Sequence, residues 1–233
     1  MDKYIIAIGG GEIKNKTTLK IDEYIASLAK LHAGDKRANA LFFGTASHDS
    51  MPYFNSFRKT YTSVFDIKAE VGLLVYGEMD IGRIADKIAA ADCIYVGGGD
   101  TVFMLDLWKQ KGVDKMLIEA YENGKIICGL SAGAICWFSD MYTDYEIMRG
   151  QSAAYSLHKG LGVLQGLITP HFDEREKDFT EAFIKSDFKK SYCIENNAAI
   201  VFKNGVPVKG LSSGGKAYVL EKDGDAIKRC EIE

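Results

Sequence analysis

The stretch of sequence that decides the fold is KIICGLSAGAICW, residues 125–137. Its first residues are continuously apolar, which is typical of a strand buried on both faces, and the residues from Ala132 onward are typical of a buried helix start. Between them lies a Gly-x-Ser-x-Gly pattern, residues 129–133. In this position the pattern predicts a nucleophile elbow, a tight turn that exposes a serine hydroxyl above a sheet, and makes Ser131 the candidate nucleophile of a serine hydrolase. The alternative is a strand-to-helix turn that merely carries a serine.

Apolar strand patterns and amphipathic helical patterns alternate along the chain before this stretch. The strand patterns are apolar enough to be buried on both faces, as parallel strands covered by helices are. This alternation predicts an α/β fold with a doubly wound, mostly parallel sheet. The predicted strands are Tyr4–Ile8, 40–43, 73–76 and Cys93–Val96, and the predicted helices cover 19–28, 81–88, 102–111 and 113–123.

A different pattern begins after about residue 190. Short apolar stretches at 198–202 and 206–210 flank Asn204-Gly205, and Asp223-Gly224 follows further on. Asn-Gly and Asp-Gly pairs favour the tight turns of β-hairpins, so antiparallel hairpins are predicted to complete the sheet. No linker-like or low-complexity segment interrupts the sequence, and we expect a single domain over residues 1–233.

The charge pattern indicates which partners to expect. The chain has 29 Lys and Arg against 32 Asp and Glu, a formal net charge of -3, and the basic residues are scattered. It therefore lacks the basic stripe that nucleic-acid binders and anionic-membrane binders need, and a small molecule is the expected partner. The N-terminal residues do not resemble a signal peptide and no apolar run reaches transmembrane length, so we expect no membrane attachment.

The cysteines favour a reducing compartment. An odd total without a Cys-x-x-Cys pair predicts neither a disulfide framework nor a zinc site. We therefore expect a cytoplasmic protein without a metal. We also expect no cofactor, and a monomer or homodimer. The five are Cys93, Cys128, Cys136, Cys193 and Cys230.

Four turns that follow predicted strands carry unusual residues. Ligands bind at the carboxyl ends of the strands in open parallel sheets, so we expect these turns to converge on one site. They are Gly9-Gly10-Gly11-Glu12, Gly97-Gly98-Gly99-Asp100-Thr101, the serine pattern, and Thr169-Pro170-His171-Phe172.

A serine hydroxyl needs a base within hydrogen-bond reach, and histidine is the usual one near neutral pH. His171 is the best placed of four histidines, because Pro170 ends the preceding strand and delivers the next residue to the sheet edge. His48 competes with it, and a buried or capping histidine is the alternative. The triglycine before Asp100 can offer backbone amides to an anion or an oxyanion, although a simple helix cap at Asp100 or Thr101 explains the same residues.

Together these motifs resemble the peptidase E and cyanophycinase family of serine peptidases. The resemblance is carried in order by residues 96–101, by residues 129–134 and by Pro170-His171-Phe172. It implies that Ser131 is the nucleophile, that His171 is the base, and that Gly99 and Ala132 are the oxyanion donors. The family fold is similar to that of class I glutamine amidotransferases, which carry cysteine where this chain has serine.

The third member of the triad departs from the family pattern. Family members typically have a glutamate in the strand after the histidine helix, and ungapped alignment puts Asn196 there, with Glu195 one residue away. Neighbours on a strand point to opposite faces, so only one of the two is expected to reach His171, and we favour Asn196. An asparagine can orient an imidazole but carries no charge to stabilise imidazolium, so modest activity is expected.

The resemblance also implies a substrate class. Peptidase E enzymes remove N-terminal aspartate from short peptides, and cyanophycinases cleave a β-linked aspartyl-arginine polymer. Arg175 matches an arginine that follows the family histidine and is expected to bind the substrate carboxylate, the alternative being an exposed arginine on a solvated helix. We therefore expect a serine exopeptidase for small N-terminal aspartyl peptides that forms an acyl-enzyme on Ser131. The alternatives are a cyanophycinase-like amidase and a catalytically weakened small-molecule binder.

Overall fold

A computed structural model describes residues 2–76, 79–223 and 226–233 of the chain. Within these ranges the helices are α1 (Leu19–Ala33), α2 (Met51–Ser63), α3 (Ile81–Ala90), α4 (Thr101–Lys111), α5 (Val113–Glu122), α6 (Ala132–Ile135), α7 (Tyr145–Met148) and α8 (Phe172–Lys185). The strands are β1 (Tyr4–Ile8), β2 (Asn39–Phe43), β3 (Lys68–Gly72), β4 (Cys93–Val96), β5 (Ile126–Leu130), β6 (Phe138–Thr143), β7 (Ser156–Lys159), β8 (Leu164–Thr169), β9 (Lys190–Ile194), β10 (Ala198–Lys203), β11 (Val206–Ser212), β12 (Ala217–Asp223) and β13 (Ala226–Glu231).

The first sheet has seven strands in the order β11-β10-β1-β5-β4-β2-β3. The strands from β1 to β3 in this order are parallel, and β10 pairs antiparallel to β1. Alternate residues of β1 pack into two different core clusters: Ile5 and Ala7 lie with α3, α4 and α5, whereas Ile6 and Ile8 lie with α1 and α2. Helices therefore cover both faces, which explains why these strands are apolar throughout and confirms the α/β class.

A second sheet was not expected from the sequence. It has the order β13-β12-β9-β8-β6-β7, with β6, β8 and β9 parallel and the remaining pairs antiparallel. The single predicted sheet is thus wrong for β8, the strand that precedes His171. The physical reason is α6, which has only four residues and is too short for the crossover that would return the chain to the first sheet.

Two further predictions differ in detail. The prediction of a strand at 73–76 is wrong, since the strand in this region is β3, which ends at Gly72. Among the described strands, β3 pairs with β2 alone and is an edge strand. As an edge strand β3 tolerates polar residues such as Lys68 and Glu70, which hid it from the apolar pattern. The segment after it is held by the Asp49 carboxylate, which accepts hydrogen bonds from the Leu74 and Val75 amides at 2.6 Å.

The predicted hairpin turn at Asn204-Gly205 is confirmed, since it joins β10 to β11. At the other predicted turn, Asp223 ends β12 and Gly224 lies outside the described residues. The bounds predicted for Tyr4–Ile8 and Cys93–Val96 are confirmed as β1 and β4. In the part of the chain that the structure describes, no helix combines the length and the apolar character that crossing a membrane requires.

A carboxyl group is buried on the face of the first sheet that α1 covers. Asp22 on α1 is fully buried, and its carboxyl group accepts hydrogen bonds from Thr18 Oγ1 at 2.7 Å and from the Tyr61 hydroxyl at 3.1 Å. Burial raises the pKa of Asp22 to about 6 and outweighs both hydrogen bonds, which lower it. The folded chain therefore holds this proton more tightly than the unfolded chain does.

We predict that Asp22 makes the protein less stable as the pH rises from about 4 to about 6. Because the folded pKa lies above the unfolded one, stability is greatest below the unfolded value and is lost up to the folded value, with a total on the order of 2–3 kcal/mol. Asp22→Asn should remove this dependence. The unfolding free energy of the variant should therefore rise relative to that of the wild type as the pH rises through this range. Urea unfolding at several pH values measures the difference, with exposed Glu23→Gln on the same helix as the control. A constant difference would contradict the prediction.

Candidate active site

Ser131 lies at the junction between β5 and α6, where the backbone turns sharply. Its φ of 52° and ψ of -109° are unfavourable for a residue with a side chain, so the surrounding structure must hold them. Its amide donates to Ile8 O at 2.9 Å, and its carbonyl accepts from Ala134 and Ile135. The junction packs tightly, because a Cβ on Gly133 would lie 2.1 Å from Val96 O. The glycine therefore allows the serine to stand at the sheet edge.

His171 follows β8 in the second sheet and is held against the first. Its amide donates to Gly9 O, after β1, at 3.0 Å. Its Nε2 lies 2.8 Å from Ser131 Oγ and its Nδ1 lies 2.8 Å from Asn196 Oδ1. The structure thus brings Ser131, His171 and Asn196 into one hydrogen-bonded line. His48, the competing histidine, instead packs against Phe103, with ring centroids 4.2 Å apart and ring planes tilted by 42°.

Asn196 and Glu195 follow β9 and point in different directions. The Glu195 carboxylate accepts from the Lys216 amide at 2.9 Å and from the Tyr218 hydroxyl at 3.2 Å, on the β12 side. The Asn196 side chain turns towards His171 and towards the first turn of α8. Of the two residues that the sequence left as alternatives, the structure brings only Asn196 to the histidine.

Asn196 is also bonded to two carboxylates at the start of α8. Its Nδ2 donates to Glu174 Oε1 at 2.6 Å and to the Asp173 oxygens at 3.0 and 3.2 Å. The Asn196 backbone amide donates to Asp173 Oδ1 at 2.9 Å. The sequence analysis missed both carboxylates, although they stand two and three residues after His171.

The triglycine turn lies beside Ser131, since a Cβ on Gly98 would be 3.4 Å from the Ser131 Cβ. The Gly98 amide donates to the Tyr53 hydroxyl at 3.3 Å, and burial raises the pKa of Tyr53 to about 12. Within the described ranges, the amides of Gly99 and Ala132 make no hydrogen bond to a protein acceptor. Asp100 caps α4 by accepting from the Phe103 amide, as the simpler interpretation of the sequence held.

The Ser131 hydroxyl opens into a cavity of about 960 Å³. Glu12, Lys14 and Asp144 supply the charged groups of its lining. The sequence analysis missed Lys14 and Asp144, since no motif marks either residue. His171, Tyr53 and Gly99 also line the cavity, together with Gly11, Ile13, Asn15, Pro52, Ser56, Gly98, Leu130 and Met148.

Arg175, which the sequence analysis expects to bind the substrate carboxylate, is not among the described residues that line this cavity. Its side chain is only 2% exposed, and Nη2 donates to Asp144 Oδ2 at 3.2 Å. The guanidinium also packs over the Tyr155 ring, 4.5 Å from its centroid. Arg175 therefore pairs with a carboxylate of the chain itself through Nη2 alone, while its Nε and Nη1 are buried without a hydrogen-bond partner among the described residues, and it is not a solvated surface residue.

The chain is similar to known peptidases in sequence and in fold. The chain matches the model of peptidase family S51 over residues 5–209. It is 35% identical over 223 residues to the uncharacterized peptidase YgaJ of Bacillus subtilis, covering 93% of this chain and 91% of that one. It is 26% identical over 165 residues to peptidase E of Streptomyces coelicolor, covering 70% and 64%. A peptidase from an acI-B1 Actinobacterium has a similar fold, with a TM-score of 0.71 at 16% identity over 100% of this chain and 95% of that one.

The fold and the matches define this protein as an enzyme, a peptidase. More specifically, the chain belongs to peptidase family S51.

We predict that Gly10→Ala disrupts the site while leaving the fold intact. A Cβ on Gly10 would lie 2.0 Å from Asn196 Oδ1 and 2.5 Å from His171 Nδ1, so the two side chains would have to separate. Since a displacement of about 1 Å can cost about 100-fold in rate, peptidase activity should fall by roughly that factor. Gly82→Ala in the exposed first turn of α3 is the control, because its φ lies outside the left-handed region and the added Cβ would meet only the Asp80 carboxylate, at 2.9 Å. Equal activity of the two variants would show that the site tolerates a separation of His171 from Asn196.

Proposed function

We propose that this peptidase is a serine exopeptidase that hydrolyses small peptides with an N-terminal aspartate, through an acyl-enzyme on Ser131. The observation that carries the proposal is the 2.8 Å contact between Ser131 Oγ and His171 Nε2, at the wall of a peptide-sized cavity. A serine paired with a histidine that a third residue orients is the arrangement needed for nucleophilic catalysis.

In the proposed reaction, the β5–α6 junction is a nucleophile elbow, as in the similar fold of class I glutamine amidotransferases, with serine in place of cysteine. His171 Nε2 takes the hydroxyl proton as Ser131 Oγ attacks the scissile carbonyl carbon. The free amides of Gly99 and Ala132 stabilise the oxyanion. His171 then gives its proton to the leaving amine, and a water molecule hydrolyses the acyl-enzyme with His171 again as the base.

Charges in the cavity support a short substrate with a free N-terminus. An N-terminal peptide unit carries an ammonium group, for which Asp144 is a partner that buried Arg175 holds in place. The substrate carboxylate needs a cation, and Lys14 is the one cation that lines the cavity among the described residues. We therefore propose Lys14 as the group that binds the acidic side chain directly, with Arg175 acting through Asp144.

We further propose that residues 1–233 form one peptidase domain in the cytoplasm. Residues of both sheets, such as Ile5 of β1 and Met141 of β6, share one core cluster, which supports a single domain. The cysteines form no disulfide within the described part of the chain, which is compatible with a reducing compartment.

We predict that Ser131→Ala abolishes turnover, with a loss of at least about 10³-fold, and that His171→Ala does the same. The double variant should lose little more, because the two residues act as a unit. Hydrolysis of an aspartyl dipeptide measures the rates, and mass spectrometry after reaction with a fluorophosphonate locates the modified residue. Ser56→Ala is the matched control, since its hydroxyl lines the same cavity but donates to Pro52 O. Activity retained by a folded Ser131→Ala would overturn the proposed function.

We predict that Lys14→Ala lowers kcat/KM for aspartyl dipeptides about tenfold and changes it little for alanyl dipeptides. This is the size expected for one charge-assisted hydrogen bond at an exposed rim. Exposed Lys20→Ala, which removes the same charge from nearby α1 without touching the cavity, should leave both values unchanged. Equal losses for the two dipeptide classes would show that Lys14 does not bind the acidic side chain of the substrate.

A further inference from the structure

In the proposed triad an amide takes the position of an acid, and an amide can face a histidine in two ways. It can present its oxygen, which accepts from a protonated Nδ1, or its NH2 group, which donates to an unprotonated Nδ1. In the second case the neutral ring carries its proton on Nε2, and Nε2 cannot take the Ser131 proton. In the serine-protease triad, replacing aspartate by asparagine costs about 10⁴ in rate because the ring adopts this wrong tautomer. An asparagine triad therefore depends on whatever orients the amide.

The surroundings of Asn196 settle its orientation. Glu174 Oε1 lies 2.6 Å from Nδ2, and the two Asp173 oxygens lie 3.0 and 3.2 Å from it. Ionised carboxylates can only accept hydrogen bonds, so the NH2 group must face them. Oδ1 is then the atom that meets His171 Nδ1 at 2.8 Å. The ring must carry its proton on Nδ1, which leaves Nε2 free to accept from Ser131.

We propose that Asp173 and Glu174 are positioning residues of the reaction: they fix the amide of Asn196 and, through it, the Nδ1–H tautomer of His171. This inference rests on the proposed function of Ser131 and His171. The carboxylates also place negative charge near the ring, since Glu174 Oε1 is 4.0 Å from His171 Nδ1. The Glu174 side chain is 62% exposed, so water screens its charge and the orientation of the amide is the larger effect.

A purely structural role for these residues is the competing explanation. Acidic residues in the first turn of a helix stabilise it through the helix dipole, and Asp173 and Glu174 occupy that turn of α8. Such a role would affect stability but neither the tautomer of His171 nor the kcat of the folded protein. The test therefore needs measurements that report on the imidazole itself.

The isosteric double variant Asp173→Asn/Glu174→Gln separates the two explanations. Its amides keep the size and an acceptor oxygen but no longer force the Asn196 NH2 group towards them. We expect kcat to fall about 10- to 100-fold with little change in KM. Glu176→Gln removes a charge from the same helix, where it pairs with Arg229, and should leave these quantities unchanged.

Nitrogen-15 NMR of histidine-labelled protein reads the tautomer without any substrate, and His171→Gln assigns the signal. We expect the Nδ1–H form in the wild type and a mixed or Nε2–H form in the double variant. An Nε2–H ring in the wild type, or an unchanged tautomer and kcat in the double variant, would overturn the inference. Failure of the proposed function looks different, because the wild type would then be as inactive on peptides as Ser131→Ala while the tautomer result still stands.

A second, independent test introduces Asn196→Asp both into the wild type and into the Asp173→Asn/Glu174→Gln variant. In the wild-type background the substitution places a third carboxylate against Asp173 and Glu174 and removes the donor that joins them, so kcat should fall. In the Asp173→Asn/Glu174→Gln background the neighbouring amides can donate to the new carboxylate, so the same substitution should restore kcat towards the wild-type value. A loss in both backgrounds, or a gain in both, would show that the two carboxylates do not act through residue 196.

Discussion

The contact between His171 and Ser131 joins two sheets at their carboxyl edges. Ser131 follows β5 in the first sheet, and His171 follows β8 in the second. The hydrogen bond from the His171 amide to Gly9 O fixes the distance between these two edges. The cavity wall, the imidazole and the serine hydroxyl lie together because the two sheets meet there. The missing side chain at Gly10 lets the imidazole and the Asn196 amide occupy that meeting point.

Much of this arrangement was predictable from the sequence because it is local. A buried strand, a serine between glycines and a short helix start all lie within residues 125–137, and β1 and β4 are continuous apolar runs with clear ends. The sheet to which β8 belongs was not predictable, because apolar periodicity describes the faces of a strand and not its neighbours. Strand β3 was misplaced for a related reason, since an edge strand keeps polar residues.

Side-chain direction was the second limit of the sequence. Alternation on a strand separated Glu195 from Asn196 but could not show which one faced the histidine, since both lie just after β9. The fork of Arg175 suggested a substrate carboxylate, yet in the folded chain it holds Asp144. This pairing joins residues that lie far apart in the sequence, so no local pattern could have indicated it.

The charged groups that line the cavity lie on different segments from the hydrogen-bonded residues Ser131, His171 and Asn196. Lys14 belongs to the connection between β1 and α1, and Asp144 to the turn before α7, whereas Ser131 and His171 are anchored at strand ends. Evolution can therefore lengthen, shorten or recharge those connections while the strand ends stay as they are. A protein built this way can diversify what it recognises, through changes in loops, far faster than it can change the chemistry it performs.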